Sequence, residues 1–166
     1  MKGPFTNRRK SSCVEHGVLA NAVMTDFVPR FAPGGTLAGV GDPDDGALGS
    51  TRYYLQSLGF RIPGSSRMPD MAVHDATLNR LFLIDVAVTG APTSGRYMLE
   101  LIGTPGGCRA EVVFVVAFAT RKAMAGTLTE IRWETVAWIA DEPEHLIHFN
   151  GSRLAGPYPG VVPQAR

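Results

Sequence analysis

The sequence predicts an α/β domain with a mixed sheet flanked by helices, and three features lead there. Two apolar runs, residues 71–75 and 81–88, are separated only by Ala76-Thr-Leu-Asn79, the spacing of a hairpin. A third run, Val112 to Phe118, is β-branched and continuous, as in a strand covered on both faces. Helical patterns alternate with these strands rather than forming a separate block, which points to the α/β class. At 166 residues and 45% apolar, the chain is large enough for one compact domain with a real core.

The elements follow in order. Residues 1–13, MKGPFTNRRKSSC, are polar and basic with no period that buries a face, and read as a flexible arm in which Arg8, Arg9 and Lys10 can touch phosphate. A single domain is expected over 14–160, with 161–166 as a tail. Residues 14–31 suit a short helix ending near Val28-Pro29, because the residue before proline avoids the helical region, and Gly34-Gly35 then breaks the chain. Residues 36–40 read as a strand and 41–46, GDPDDG, as a turn. Residues 47–59 read as an amphipathic helix presenting Leu48, Tyr53, Leu55 and Leu58 and closed by Gly59. After the hairpin, Thr93-Ser94 can cap a helix over 95–102, stopped by Gly103, Pro105, Gly106 and Gly107. Beyond the 112–118 strand, 121–131 suits a helix and 135–140 a strand.

Composition narrows the function. The apolar stretch 111–119 is too short for a membrane span and the first thirty residues lack the apolar core of a signal peptide, so a soluble cytoplasmic protein is expected. Cys13 and Cys108 form no CxxC pair, which signals neither zinc nor a disulfide framework. A net charge of +1 gives no general attraction to phosphate, so any nucleic-acid binding must be local. The only lysines are Lys2, Lys10 and Lys122.

One feature of the hairpin is anomalous. Asp85 interrupts the apolar run Leu81 to Val88, and Asp70 follows Pro69 at the start of the preceding strand. With the turn centred between Thr77 and Leu78, paired positions sum to 155, so Asp75 faces Arg80 and Asp70 faces Asp85. Cross-strand Cβ atoms stand about 5 Å apart, where two like charges repel by roughly 3 kcal/mol at an effective dielectric near 20. A divalent cation relieves that repulsion, and Mg²⁺, which favours oxygen ligands and one or two carboxylates, is the natural candidate. The alternative is an aspartate bonded by loop amides or by an arginine such as Arg96. A one-residue register shift would also send the two carboxylates to opposite faces.

An acidic residue after proline and another in the next strand resemble the PD-(D/E)xK nuclease pattern. The segments Phe31-Ala-Pro-Gly34, Met68-Pro-Asp-Met71, Asn79-Arg-Leu-Phe-Leu-Ile84, Ile131-Arg-Trp-Glu-Thr135, Trp138-Ile-Ala140, His145-Leu-Ile-His-Phe-Asn-Gly151 and Gly156-Pro-Tyr158 are more specific. Together, over about residues 25–158, they resemble the catalytic domain of the BsuBI/PstI family of type II restriction endonucleases.

That resemblance implies a restriction-endonuclease-like mixed sheet, Mg²⁺-dependent hydrolysis of double-stranded DNA at a palindrome, CTGCAG in the named members, and a homodimer. By the same resemblance Asp70 corresponds to the first metal-binding acid. Asp85 stands where the family usually has glutamate, one methylene longer. Ala87 occupies the usual lysine position. The family pattern likewise lacks lysine there and carries a basic pair at the start of the next helix, to which Arg96 and Tyr97 correspond. Arginine stays protonated, so Arg96 would stabilise charge on phosphate without acting as a base. Glu100, four residues on, lies on the same helical face, where it can hold Arg96 or bind metal through water; an ordinary helix-surface pair is the plainer reading. Family members carry an upstream DNA-recognition domain, whereas this chain has only the short arm, so it is expected to be a truncated relative whose recognition comes from a separate domain or chain.

Other residues carry less. Asp42, Asp44 and Asp45 suit a solvated turn. His145 and His148, three apart, can share a helix face but lack partners for a zinc set. Trp133 and Trp138 suit core anchors. Arg109 suits a phosphate contact or a loop cap, and Gly103-Thr-Pro-Gly-Gly107 lacks the lysine of a phosphate-binding loop. The leading expectation is therefore a Mg²⁺-dependent nuclease domain with Asp70, Asp85, Arg96 and Glu100 in its site. The rivals are a catalytically impaired remnant that keeps the fold with weak DNA binding, and an unrelated hydrolase of small phosphoesters.

Overall fold

The computed structural model describes residues 14–40, 47–59, 69–88 and 108–149. Its centre is one six-stranded mixed sheet in which the strands stand side by side in chain order. They are β1 (Gly35–Val40), β2 (Met71–Asp75), β3 (Arg80–Ala87), β4 (Glu111–Phe118), β5 (Thr135–Ile139) and β6 (Leu146–Phe149). The β3–β4 and β4–β5 pairs are parallel and the other three antiparallel.

The β2–β3 hairpin holds the register expected from the sequence, with Met71 opposite Ile84 and Asp75 opposite Arg80. Its turn is fixed by Asp75, which is fully buried and whose Oδ1 accepts the N–H groups of Thr77 at 2.9 Å and Leu78 at 3.1 Å. An aspartate suits this position because its short carboxylate satisfies loop amides two and three residues ahead. Asn79 closes the turn at φ 52°, a conformation that asparagine tolerates.

Alternation along the strands divides the core between two faces. Helix α1 spans 14–31 and lies on one face, where Leu19, Val23 and Phe27 meet Val73, Phe82, Ile84, Val86, Val115 and Trp138. Phe27 packs edge-on against both Phe82 and Trp138, with ring centroids 5.7 Å apart in each pair. Trp138, fully buried, donates its indole N–H to the Pro143 carbonyl at 3.1 Å, so its one polar atom is satisfied. On the other face, α2 (Ala47–Ser57) sets Leu55 against Ala72, Leu81, Leu83 and Phe114. Helix α3 (Arg121–Ala125) brings Met124 to Val116, Phe118, Ala137 and Ile139.

Several expectations are corrected. Helix α1 does not stop before Pro29. It widens to a π-helical turn over Val23–Phe27, with the Val28 N–H bonded to the Val23 carbonyl, and continues over Val28–Phe31. Proline lacks an N–H and its ring collides with the carbonyl four residues back, and the wider turn is a regular way to pass such a residue. In α2, Tyr53 is 75% exposed, and the buried face is formed by Thr51 and Leu55. Helix α3 ends at Gly126, well before Ile131, and a 3-10 turn, Leu128–Glu130, follows. Its start is well capped, because the Thr120 hydroxyl accepts the Ala123 N–H. Residues 146–149 form strand β6, so His145 and His148 share no helix face. Trp133 is 69% exposed and anchors no core.

The sheet and α2 meet closely at Gly39 in β1. A Cβ there would lie 1.8 Å from the Thr51 Oγ1 and 2.5 Å from its Cβ, so any side chain must push α2 off the sheet. Gly39→Ala is expected to cost about 1–3 kcal/mol, the range for overpacked interiors. Thermal unfolding checks this, and an unchanged melting temperature would mean that α2 does not pack here.

Candidate active site

The two aspartates lie where β2 begins and where β3 approaches its end. The ladder runs in register through Met71 opposite Ile84, so Asp70 and Asp85 are each the next residue beyond its last pair. Pro69 helps to end the ladder there, because it offers no N–H, and Asp70 lies in the bend before β2.

The environments of the two carboxylates differ. Asp85 is 4% exposed. By alternation it shares the face of Leu81 and Leu83, and its neighbour on β4 is Val116. It therefore stands between the cluster under α2 and the cluster under α3. Asp70 has a one-third exposed side chain, and its Oδ2 accepts the Val86 N–H at 2.7 Å. That bond fills the ladder position β2 leaves when it ends, so one oxygen of Asp70 prolongs the sheet. A hydrogen bond to an ionised group of this kind contributes about 1.5–3 kcal/mol, and it also fixes which way the carboxylate faces.

A third polar group at this corner was not singled out in the sequence. The Nε2 of His16, on the first turns of α1, lies 3.5 Å from the same Asp70 oxygen. Nothing in the local sequence marks it, because its neighbours on either side are polar or small and its partner lies more than fifty residues away.

The donor set suits a hard divalent cation that brings ligands of its own. Two carboxylates on adjacent strands are the usual protein share of a Mg²⁺ site, the remainder being water and substrate phosphate. Among the described residues no group of three His, Cys, Asp or Glu side chains is placed to hold a metal ion.

Other candidates fall elsewhere. Arg96, Tyr97 and Glu100 lie outside the described residues, as do Asp42, Asp44, Asp45, Cys13, the basic arm, the 103–107 glycine loop and the tail. Ala87, at the usual lysine position, ends β3. Arg109 does not approach the aspartates. It donates from its guanidinium to the Ser57 carbonyl at 3.1 Å, and its own carbonyl accepts from Asn79. It therefore ties the end of α2 to the hairpin turn, at the edge of the sheet opposite Asp85. Because β4 pairs Glu111 with Arg80 and Val116 with Asp85, the strand from Glu111 to the level of Asp85 alone spans roughly 17 Å at about 3.3 Å per residue. No helix among the described residues is long and apolar enough to cross a membrane.

Residues 2–152 match the BsuBI/PstI restriction endonuclease domain. The chain is 38% identical over 144 residues to the type II restriction enzyme BsuBI of Bacillus subtilis, covering 87% of this chain and 46% of that enzyme. It is 28% identical to the type II restriction enzyme AplI of Arthrospira platensis, covering 82% and 44%. The structure of SdaI restriction endonuclease superposes with a TM-score of 0.67 at 38% identity, again over 87% of this chain and 46% of that one. The chain thus spans about half the length of the enzymes it matches.

The two duties of Asp70, closing the ladder and carrying charge, can be separated. Asp70→Asn keeps an oxygen to accept the Val86 N–H and is expected to melt close to the wild type. Asp70→Ala leaves that amide unsatisfied and is expected to lose about 1–3 kcal/mol. Denaturant titration of the two variants checks this, and equal stability would show that the strand-end bond contributes nothing.

Proposed function

Because the chain belongs to the BsuBI/PstI restriction endonuclease domain family, we propose that it is a Mg²⁺-dependent deoxyribonuclease domain that hydrolyses phosphodiester bonds of double-stranded DNA. The observation that supports this reading is the end of the β2–β3 ladder, where Asp70 and Asp85 each follow the last pair, Met71 and Ile84, and the Val86 N–H holds Asp70. The family's CTGCAG sequence is the first target to test. Cutting both strands of a palindrome calls for a two-fold homodimer, whose symmetry matches that of the site.

In this reading Asp70 and Asp85 hold Mg²⁺. When bound, the ion supplies an acidified water as nucleophile and neutralises charge on the scissile phosphate. The protein's own contribution is orientation and exclusion of water. The Val86 N–H holds Asp70 by one oxygen, which leaves the other for the ion. Asp85, buried against Leu83 and Val116, keeps bulk water from one side of the site. Arg96 serves as the cation facing phosphate, with a fixed charge that donates hydrogen bonds but takes no proton. Glu100 is assigned as the acidic partner of Arg96.

A second reading is favoured by Ala87. With no lysine at that position to position or deprotonate the attacking water, the domain would keep the fold and weak DNA binding while turning over poorly.

Purified protein incubated with supercoiled plasmid carrying CTGCAG and Mg²⁺ tests the proposal. Linear product is expected from the wild type. Asp70→Asn and Asp85→Asn are each expected to slow cleavage at least about a hundredfold, the scale on which removal of a charge-stabilising group acts. Intact plasmid with the wild type, or cleavage indifferent to both substitutions, would overturn it.

A further inference from the structure

We propose that His16 is a positioning residue for the metal-binding carboxylate of Asp70, linking the first helix to the nuclease site. The inference rests on the reading of Asp70 as a metal ligand.

The argument begins with helix periodicity. The buried stripe of α1 runs through Leu19, Val23 and Phe27, which are 4%, 0% and 1% exposed. Residues spaced by three and four lie on one face of a helix, and one step further back along that stripe is His16. The helix therefore points His16 along its core-facing side, at the point where the sheet beneath it runs out. Every other position on this stripe is apolar, and the exception falls where a polar partner is available.

That partner is Asp70. The His16 Nε2 is 3.5 Å from Asp70 Oδ2, the oxygen that also accepts the Val86 N–H at 2.7 Å. One donor, the Val86 N–H, thus bonds this oxygen with the His16 imidazole beside it, and among the described residues Oδ1 accepts no hydrogen bond. This is the division of labour a ligating carboxylate needs, with one oxygen held by the protein and the other turned to the cation. At 3.5 Å the contact is longer than a formed hydrogen bond. Contacts of this kind commonly tighten when a ligand binds. With the imidazole 40% exposed, room remains for the ring to close on the carboxylate.

The backbone amide of Val86 and the imidazole of His16 differ in one respect. The amide is part of the sheet and cannot move independently of it, whereas the imidazole rides on α1. Helix α1 is fixed to the sheet by Phe27 against Phe82 and Trp138, so its packing sets how closely His16 approaches. Removing the imidazole therefore loosens the orientation of Asp70 while leaving the core untouched.

The test is binding of Mn²⁺, followed by the loss of the free-ion signal in electron paramagnetic resonance, with no DNA present. Four proteins are compared: wild type, His16→Ala, His16→Gln and Asp70→Ala. Glutamine returns an N–H donor near the position of Nε2. The expected result is Asp70-dependent binding in the wild type, weakened about tenfold or more in His16→Ala, as is usual when an outer partner of a ligand is lost. His16→Gln is expected to recover most of that loss, and all His16 variants to melt with the wild type when no metal is present.

Binding by His16→Ala equal to the wild type, while Asp70→Ala binds poorly, would overturn the role of His16 and leave the metal reading intact. A fall in His16→Ala that glutamine does not restore would also overturn it. Binding by the wild type that is no better than by Asp70→Ala would instead remove the metal reading itself, and the His16 proposal with it.

Discussion

The antiparallel register of β2 and β3 is the constraint on which the rest of the molecule depends. A slip of one residue would turn every side chain of one strand to the opposite face. Val73 and Phe82 would then leave the face covered by α1, and Ala72 and Leu83 the face covered by α2. Because both faces are buried, either loss is costly, and the register has no nearby competitor. Asp75 pins one end of the hairpin through the amides of Thr77 and Leu78. At the other end Asp70 and Asp85 each follow the last pair of the ladder, Met71 and Ile84. The geometry of the proposed site is thus set by packing and by a turn at the far edge of the sheet.

Magnitudes indicate that this corner can form before any ion arrives. Two carboxylates at cross-strand distance repel by roughly 3 kcal/mol when the effective dielectric is near 20. The bond from the Val86 N–H to Asp70 contributes on the order of 1.5–3 kcal/mol. Partial exposure of Asp70 reduces the repulsion further by solvent screening. The two effects are of similar size, so the fold tolerates such a pair.

The hairpin was legible in the sequence because period, turn residues and length all agreed: an Asp at 75, a four-residue loop and apolar runs on either side. The strand at 111–118 was legible because it is β-branched throughout. Where the reading failed, a local signal competed with packing. Pro29 pointed to a helix end, but a π-helical turn carries α1 past it. The spacing of His145 and His148 suggested a helix, yet Leu146, Ile147 and Phe149 complete the sheet beside β5. Tyr53 and Trp133 looked like core residues by composition and are exposed, since aromatic character alone carries no direction. His16 left no trace, because its meaning lies in a partner more than fifty residues away. Asp70 and Asp85 stood out only because a carboxylate in an apolar strand breaks the pattern, while Arg96 and Glu100 lie outside the described residues.

The central claim is that neighbouring strands present two carboxylates to one divalent ion. Crystals grown with Mn²⁺ and measured at the manganese absorption edge test it directly. The account predicts one anomalous peak at the corner of β2 and β3, within about 2.0–2.4 Å of an oxygen of Asp70 and an oxygen of Asp85, a range that spans hard-cation oxygen contacts. An ordered protein with no peak there, or with the two carboxylates on opposite faces of the sheet, would contradict it.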